Sequence, residues 1–352
     1  MNRGWLLAYP RAYRRERGEE ILATIVESGR SGPRVAANLV RHGLRARLGR
    51  PASRSIVVWS IVAAAICGLF AASMASWVAW SNGRPHPDEA EVRNVLAEVF
   101  PAHDFANVFV ARAVFAFYTE PSSWENLSGV LSFDGGEYEL AASGAGILGG
   151  PATGGDEAAP TAMERLRAGG WHVYPPHVTE GFTCHTPTCE TPIPTTYTSL
   201  IAERGDLVLE LWVNSAAGPD ETFISVSLQR KAPASVWPAG FAAGLAGALL
   251  AWLVFAWASR RTGGEHPVGL GIKVCFVLTM ACWWGPALLG IPSVITHQGL
   301  DPHPQWHPLW EWLGQPVFSQ VFIFGAAWAL LGLALALIPA RAGETTHRAR
   351  SA

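Results

Sequence analysis

The sequence predicts an α-helical integral membrane protein with four transmembrane helices and one α+β extracytoplasmic domain between helices 1 and 2. The first observation is a set of four long apolar stretches without charged residues, at residues 56–80, 236–258, 274–295 and 317–338. Each is long enough to cross a bilayer, which requires about 20 mostly apolar residues. The second observation is their uneven spacing, because residues 81–235 form a polar segment long enough to build its own core.

The distribution of charge predicts the orientation of these helices. Residues 1–55 hold 12 basic and 4 acidic residues, whereas residues 81–235 hold 8 basic and 20 acidic residues. The loop 259–273 and the tail 339–352 are also basic, and the loop 296–316 contains no Arg or Lys. Because basic segments are retained in the cytoplasm, we expect a cell-membrane protein with both termini cytoplasmic and the two acidic segments outside.

The basic cytoplasmic tail is predicted to form two amphipathic helices. The first ends at Gly29, and the second begins at Pro33, a residue favoured at the first helical position. Arg34, Arg41 and Arg45 occupy a face of the second helix that differs from its apolar face. Such a cationic helix just before a membrane span suits the anionic inner leaflet, so the lipid bilayer is the expected partner. A DNA-binding helix is the rival interpretation, but the tail lacks a helix-turn-helix pattern, and no nucleic acid is expected.

The tail also carries a short motif, formed by Leu6-Leu7-Ala8-Tyr9-Pro10 with Arg14, Gly18, Glu19 and Glu20. This motif resembles the one that opens many actinobacterial multi-pass membrane proteins of unknown function. It is also similar to a prefix found ahead of some transporter permease domains, which implies a connection with export machinery. The resemblance covers roughly residues 5–22, and the rest of the chain shows no permease signature.

The segment 81–235 is predicted to fold as a sheet that two helices cover on one side. Asp88 caps the first helix, and a capping box that begins at Thr161 starts the second. Alternating apolar residues and turn signals predict strands at residues 107–118, 129–133, 137–143, 171–174, 197–203, 206–214 and 222–229. The segments 144–160 and 175–196 are rich in Gly, Ala, Pro or Thr, and we expect them to be loops.

Two cysteines, Cys184 and Cys189, lie in the predicted outer domain, where oxidation is permitted. A disulfide between them would close a small loop and pin the segment around it. A metal site with His177 and His185 is the alternative, but structural zinc commonly uses two close pairs of ligands and one such pair is present. The disulfide is therefore the expected pairing. The other cysteines are expected to be small apolar residues of the spans: Cys67, Cys275 and Cys282.

The outer loop 296–316 contains His297, Asp301, His303 and His307, which are weak candidates for a divalent metal site. Their spacing matches no known ligand pattern, and prolines and tryptophans accompany them. Tryptophans commonly anchor a loop at the level of the lipid headgroups. We therefore expect a membrane-lying loop with solvated histidines, without a metal, and no cofactor in the protein.

Three glycines of the second span, Gly240, Gly244 and Gly247, have a spacing that lets helix backbones approach closely. The pattern favours tight packing, either within the bundle or in a homodimer. The sequence alone does not separate these two arrangements.

Two further motifs are interpreted as matches by chance. Gly144-x-Gly146-x-x-Gly149 is followed by more glycine and proline, instead of the helix start that a dinucleotide site needs. Arg204-Gly205-Asp206 is expected to be a hairpin turn rather than an adhesion tripeptide.

The sequence lacks charged residues in its spans and lacks recognisable catalytic motifs, which reduces the number of possible functions. None of the predicted spans contains Asp, Glu, Lys, Arg or His, which ion-coupled transporters usually carry there. No Walker motif, nucleophile elbow, HExxH or kinase signature occurs, so an enzyme is not expected. The sequence favours a membrane-anchored sensing or interaction protein that binds a ligand or protein partner through its outer domain. The alternative, which rests on the N-terminal motif, is an accessory or remnant subunit of an export permease system of the ABC type.

Overall fold

The computed structural model describes residues 3–27, 29, 32–49, 53–101, 103, 105, 107–111, 115–117, 120–121, 139–140, 142–148, 155–183, 193–215, 223–263, 266–300, 309–313 and 320–339. The chain forms two compact units. We call one the helical unit, which combines residues 1–74, 240–289 and 320–352. We call the other the sheet unit, which combines residues 75–239 and 290–319.

The elements of the described residues are numbered in chain order. The helices are α1 (Arg11–Glu27), α2 (Pro33–Arg47), α3 (Arg54–Ser81), α4 (Glu89–Val99), α5 (Gly155–Ala168), α6 (Val236–Arg261), α7 (Gly269–Leu300), α8 (Leu309–Leu313) and α9 (Gln320–Leu337). A 3₁₀ turn at Arg3–Ala8 precedes α1. The strands are β1 (Val108–Phe109), β2 (Phe115–Phe117), β3 (Glu120–Pro121), β4 (Glu139–Leu140), β5 (Ser143–Leu148), β6 (His172–Val173), β7 (His177–Thr183), β8 (Ile193–Arg204), β9 (Leu207–Ser215) and β10 (Phe223–Arg230).

Four helices are long and apolar enough to cross a membrane, namely α3, α6, the Gly269–Leu289 part of α7, and α9. They coincide with the four apolar stretches of the sequence, so the prediction of four candidate spans is confirmed. Large apolar side chains on these helices point away from the protein, including Leu245, Leu249 and Leu330. Such exposure is typical of helices that face lipid, because a bilayer solvates apolar side chains.

The close approach of α3 and α6 depends on small residues. A Cβ atom on Gly244 would lie 3.3 Å from the Gly68 carbonyl oxygen, and one on Gly247 would lie 2.5 Å from the Ala71 Cβ atom. Helix backbones come this close only where side chains are missing. Gly240, the third glycine of the pattern, is buried on the same helix. Packing within one chain therefore accounts for the predicted glycine contacts at Gly244 and Gly247 without a homodimer.

An aromatic cluster joins α3, α7 and α9. The Phe70 ring meets the rings of Trp283 and Phe322 edge to face, with centroids 5.6 and 4.9 Å away. The indole N–H of Trp283 donates to the Phe322 carbonyl oxygen at 3.2 Å, and the same ring lies over Gly325. A buried indole N–H needs an acceptor, so this bond between helices satisfies a polar group within an apolar unit.

Three segments of the helical unit meet at one of its ends. The Ser259 hydroxyl donates to the Leu48 carbonyl oxygen at 2.9 Å, which joins the end of α6 to the N-terminal tail. Arg261 donates to the Leu337 carbonyl oxygen at 2.9 Å, and His266 contacts the same end of α9. The tail, the α6–α7 loop and the end of α9 therefore lie together, as a bundle of four spans requires.

Within the N-terminal tail, the 3₁₀ turn at Arg3–Ala8 packs against α2. A Cβ atom on Gly43 would lie 2.7 Å from the Ala8 Cβ atom, and Arg47 donates through Nε to the Ala8 carbonyl oxygen at 2.7 Å. The two predicted tail helices are present. The first ends near Gly29, whose φ of 61° suits glycine, and the second begins at Pro33.

The outer surface of α2 mixes charge with apolar area. Arg34 and Arg41 are exposed and Arg45 is half-buried. Val40 and Leu44 are also exposed on this helix. Cationic and apolar side chains presented together are typical of a helix that lies at a membrane surface, so the predicted role of the three arginines is compatible with their positions.

The sheet unit contains a seven-stranded antiparallel sheet in the order β1-β5-β10-β9-β8-β6, with β7 also paired to β8. A smaller sheet has the order β3-β2-β4. The predicted meander is present as β8, β9 and β10, and its register aligns Leu200, Leu211 and Val226. These residues form one core with Leu96 of α4 and Leu166 of α5, so the prediction of two helices on one side of the sheet is confirmed.

The two helices that pack on the sheet, α4 and α5, differ in how well their starts were predicted. The Glu91 backbone N–H donates to Asp88 Oδ1 at 2.8 Å, as expected for the cap of α4. The predicted start of the second helix at Thr161 is wrong, because α5 begins at Gly155 and contains Pro160. Asp156 and its neighbour Glu157 precede the capping box, and acidic residues stabilise the first turn of a helix.

The two segments predicted to be loops are partly strands. The segment 144–160 contains β5 and the start of α5, and a Cβ atom on Gly144 would collide with the Val226 carbonyl oxygen of β10. The segment 175–196 contains β7 and the start of β8. Pro194 fits there because, among the described residues, this part of β8 pairs with β7 alone. Pairing with a neighbouring strand outweighed a composition typical of loops.

Candidate interaction site

One face of the seven-stranded sheet is buried under α4 and α5, and the other face is not part of this core. Along β9, Leu207, Leu209, Leu211 and Val213 are buried in the core with residues of α4 and α5. Successive side chains of a strand point to opposite faces, so the alternate residues of β9 lie on the other face. We call this other face the open face, and the pairing register assigns residues of the neighbouring strands to it.

The open face carries an aromatic patch, defined as Phe109, Trp212 and Phe223. These side chains are 51%, 48% and 41% exposed. Trp212 pairs with Ser225, so Phe223, two residues along β10, is its diagonal neighbour on the same face. Phe109 lies opposite Gly144 on β5. Aromatic side chains grouped on a surface are typical of interaction sites.

Small residues form the floor between the aromatic rings. Gly144 pairs with Ser227 and Gly146 pairs with Ser225, all on the open face. A Cβ atom on Gly146 would lie 3.4 Å from the Phe223 Cζ atom, so this ring extends over the neighbouring strand. The result is a shallow apolar surface with hydroxyl groups between the rings. Such a surface is suited to stacking on a planar or apolar group and to donating hydrogen bonds.

A second feature lies where the chain enters and leaves the sheet. The linker after α3 and the linker before α6 touch each other, since a Cβ atom on Gly83 would lie 2.7 Å from the Pro233 Cγ atom. Arg84 of the first linker donates to Asp206 Oδ2 at 3.0 Å. The Lys231 backbone N–H of the second linker donates to the Asp206 carbonyl oxygen at 2.7 Å. The β8–β9 turn therefore holds both linkers.

Arg230 is the centre of what we call the linker cluster, defined as Arg84, Glu91, Asp206 and Arg230. Its Nη2 donates to Glu91 Oε2 at 2.7 Å, its Nη1 donates to Asp206 Oδ1 at 3.3 Å, and its Nε donates to the Pro85 carbonyl oxygen at 3.1 Å. A guanidinium carries five N–H donors in a fixed plane, so one side chain ties α4, a linker and the β8–β9 turn. A cavity of about 200 Å³ lies beside it.

The linker cluster keeps Asp206 ionised. Burial alone would raise its pKa, but the hydrogen bond from Arg84 and the charges of Arg230 and Arg84 outweigh burial and hold the pKa below its usual range. A carboxyl whose pKa is lower in the folded state stabilises the fold above its unfolded pKa. That stabilisation is lost as the pH falls through the lowered value, so the cluster is intact at neutral pH.

The Arg204-Gly205-Asp206 segment is a hairpin turn, as predicted. Gly205 has a φ of 64°, which glycine adopts at little cost. Arg204 pairs with Glu98 at 2.9 Å, and its guanidinium carbon lies 4.4 Å from the centroid of the Trp171 ring. Both charged side chains of the tripeptide are thus engaged within the sheet unit, which argues against an adhesion role.

Most of the predicted outer sites fall outside the described residues. These are the disulfide pair Cys184 and Cys189, the nearby His185, and the loop residues Asp301, His303 and His307. His297 belongs to α7, but its side chain lies outside the description, and His177 is exposed on β7. The disulfide and the weak metal site therefore stay predictions. In the part of the chain that is described, no three His, Cys, Asp or Glu side chains are grouped to hold a metal ion.

The glycine motif of residues 144–149 does not form a dinucleotide site in its described part. Gly144 and Gly146 lie within β5, whereas such a site needs a helix that starts in the glycine turn. These glycines instead make room for the backbone of β10 and for the Phe223 ring.

Sequence reasoning did not identify the aromatic patch or the linker cluster. Trp212 could have been singled out, because it is a large aromatic residue at a polar position of an alternating strand. Phe109 and Phe223 could not, since their placement on the same face depends on the register of three strands. The pair Glu91 and Arg230 is separated by 139 residues, which no local pattern detects.

Comparison with protein-family models, with curated proteins and with solved structures gave no match. The functional interpretation of this chain therefore rests on its own residues. The aromatic patch and the linker cluster are the features of the sheet unit on which it can be built.

Proposed function

We propose that this chain is a multi-pass protein of the cell membrane, with both termini in the cytoplasm and residues 81–235 outside. Four helices of sufficient length and apolarity support the membrane location. The excess of basic residues in the segment 1–55, against an excess of acidic residues in 81–235, supports the orientation. The meeting of the tail, the α6–α7 loop and the end of α9 supports the placement of these segments on one side.

Reporter fusions test this topology. A reporter that is active only outside the cytoplasm should be active after Lys231 and inactive after Arg261, because the basic α6–α7 loop resists translocation. A reporter that is active only in the cytoplasm should give the opposite pattern at the same two positions, which controls for expression. Activity of the first reporter after Arg341 would contradict the arrangement with four spans.

For the activity, we propose a membrane-anchored sensing or interaction protein whose sheet unit binds a ligand or a protein partner on its open face. The observation that carries this proposal is the aromatic patch, with three exposed rings around a floor of glycine and serine. Burial of apolar area contributes about 25 cal/mol per Å², and aromatic residues dominate the binding energy of many interfaces. The aromatic rings would therefore supply most of the binding energy, and hydrogen bonds to the serine hydroxyls would orient the ligand or partner.

The linker cluster supports the sensing part of the proposal. Arg84 and Arg230 tie the sheet to the linker that leads from α3, and the Asp206 turn holds the linker that leads to α6. A displacement of the β8–β9 turn would therefore move both linkers together. Coupling between sites travels through such contiguous hydrogen-bonded contacts when they have two arrangements.

Site-specific photo-crosslinking in intact cells tests the binding surface. A photoreactive phenylalanine analogue in place of Trp212 should form one dominant adduct, because it keeps an aromatic ring within the patch. The same analogue in place of Glu164, which is exposed on α5, should form no such adduct. Phe109→Ala with Phe223→Ala should reduce the Trp212 adduct about 30-fold or more, since interface aromatics commonly contribute about 1–2 kcal/mol or more each.

The same experiment separates the proposal from its alternative. Equal adducts from both positions would contradict a specific binding face. A dominant adduct between an analogue in place of His42, which is exposed on α2, and the ATPase of an export system would favour an accessory or remnant permease subunit instead.

A further inference from the structure

Three arginines line one open cavity at the start of α1. Arg11, Arg14 and Arg15 line an open cavity of about 520 Å³, which we call the arginine pocket. The first turn of α1 contains no acidic residue. Within the described residues, Arg14 Nε is buried without a hydrogen-bond partner. The neighbouring Arg17 differs, because it lies 4.0 Å from Glu20 and is paired with it.

The charges of the arginine pocket are unfavourable without a counter-ion. Like charges three or four residues apart on a helix destabilise it, and Arg11 has this spacing with both Arg14 and Arg15. The N-terminus of a helix is itself positive and favours anions. A buried donor of a charged group that lacks a partner adds a desolvation cost. An anion bound between the three side chains would remove all of these costs at once.

The arginine pocket is held in shape by the N-terminal motif. The Arg14 backbone N–H donates to the Pro10 carbonyl oxygen at 3.0 Å. The Tyr9 and Tyr13 rings stack with centroids 5.3 Å apart, and Tyr9 is buried. Gly18, one turn further on, is buried close to the Leu6 side chain. A first turn fixed in this way presents guanidinium groups at a lower entropic cost than a flexible basic tail does.

We propose that the arginine pocket binds the phosphate group of an anionic ligand, supplied either by the headgroup of an anionic phospholipid or by a soluble phosphate compound. Guanidinium groups match phosphate oxygens through two parallel N–H donors, which a lysine ammonium does not offer. The cavity of about 520 Å³ has room for a phosphate group with its substituent. This site lies in the helical unit and is independent of the function proposed for the sheet unit.

Binding is tested on the purified full-length chain in two arms. In the first arm, the chain is placed in nanodiscs of phosphatidylcholine and titrated with pyrophosphate. In the second arm, phosphatidylglycerol replaces part of the phosphatidylcholine and no soluble phosphate is added. The readout is hydrogen exchange of the α1 backbone amides, which should slow down in at least one arm. Protection in the first arm identifies a soluble source, and protection in the second arm alone identifies the lipid headgroup.

Matched variants distinguish phosphate binding in the arginine pocket from non-specific attraction of phosphate to a positively charged helix. Arg14→Gln should weaken binding about tenfold or more, because one hydrogen-bonded charge is lost. Arg14→Lys keeps the charge but loses the planar pair of donors, so it should also weaken binding. Arg17→Gln is the matched control, because it removes the same charge from the same helix at a residue that is paired with Glu20. Exposed ion pairs contribute little energy, so phosphate binding should change less than about twofold.

Three results would overturn the arginine pocket as a phosphate site. The first is the absence of protection of α1 in both arms. The second is an equal loss of binding in Arg14→Gln and Arg17→Gln. The third is full binding by Arg14→Lys, which would indicate attraction by charge alone. Hydrogen exchange of α2 serves as the folding control, because unchanged protection there shows that a variant keeps the tail folded.

Discussion

Leu211→Ala should destabilise the sheet unit by about 2–5 kcal/mol, the range measured when large buried side chains are truncated. Leu211 is fully buried and lies between Leu200 of β8 and Val226 of β10. Its removal would leave a cavity at the centre of the core that α4 and α5 share with the sheet. The surrounding strands are paired on both sides, so they have little freedom to close that cavity.

The measurement is hydrogen exchange of the β9 amides in the full-length chain in nanodiscs. A loss of about 2 kcal/mol or more corresponds to exchange at least about 30-fold faster. Val208→Ala is the matched control, because it lies on the same strand but is half-buried on the open face. The control should cost about 1 kcal/mol or less. Equal effects of the two substitutions would contradict the assignment of the two faces.

The alternation along β9 is the part of the sheet that the sequence predicted best. Leu209 and Leu211 repeat at every second position, and this period determines which face is buried. The start of α4 was predicted equally well, because the cap residue Asp88 is a local signal that needs no distant partner. Both predictions depend on residues close together in the chain.

The errors arose where distant pairing decides the structure. Gly144 and Gly146 suggest a loop when β10 is unknown, yet the close approach of β10 requires glycine at the first position. Pro194 argues against a strand until its pairing with β7 is known. The aromatic patch escaped prediction for the same reason, since β1, β5, β9 and β10 must be aligned before its three residues are known to lie on one face of the sheet.

The candidate spans were predicted from length and the absence of charge, which are properties of each segment alone. The contacts between them were not predictable in the same way. Small residues at Gly244 and Gly247 indicated close packing, but they did not indicate whether the partner helix belongs to the same chain. In the structure the partner helix is α3 of the same chain, because Gly68 and Ala71 lie against these glycines.

Gly247→Leu should therefore disrupt the bundle itself. Any Cβ atom at this position meets the Ala71 Cβ atom at 2.5 Å, and a leucine extends well beyond that contact. Overpacking a close interface costs about 1–3 kcal/mol and sometimes more, because α3 and α6 must separate along several turns. The expected result is a lower midpoint of thermal unfolding for the purified full-length chain in detergent.

The matched control for Gly247→Leu is Ala246→Leu, which adds a leucine one residue away on the exposed side of α6. A leucine that faces lipid or detergent costs little, so this variant should unfold at the temperature of the unchanged chain. The oligomeric state of both variants is measured in parallel. If the glycines served a homodimer, Gly247→Leu would yield monomers that keep their thermal stability, whereas packing within the chain requires that stability to fall whatever the oligomeric state.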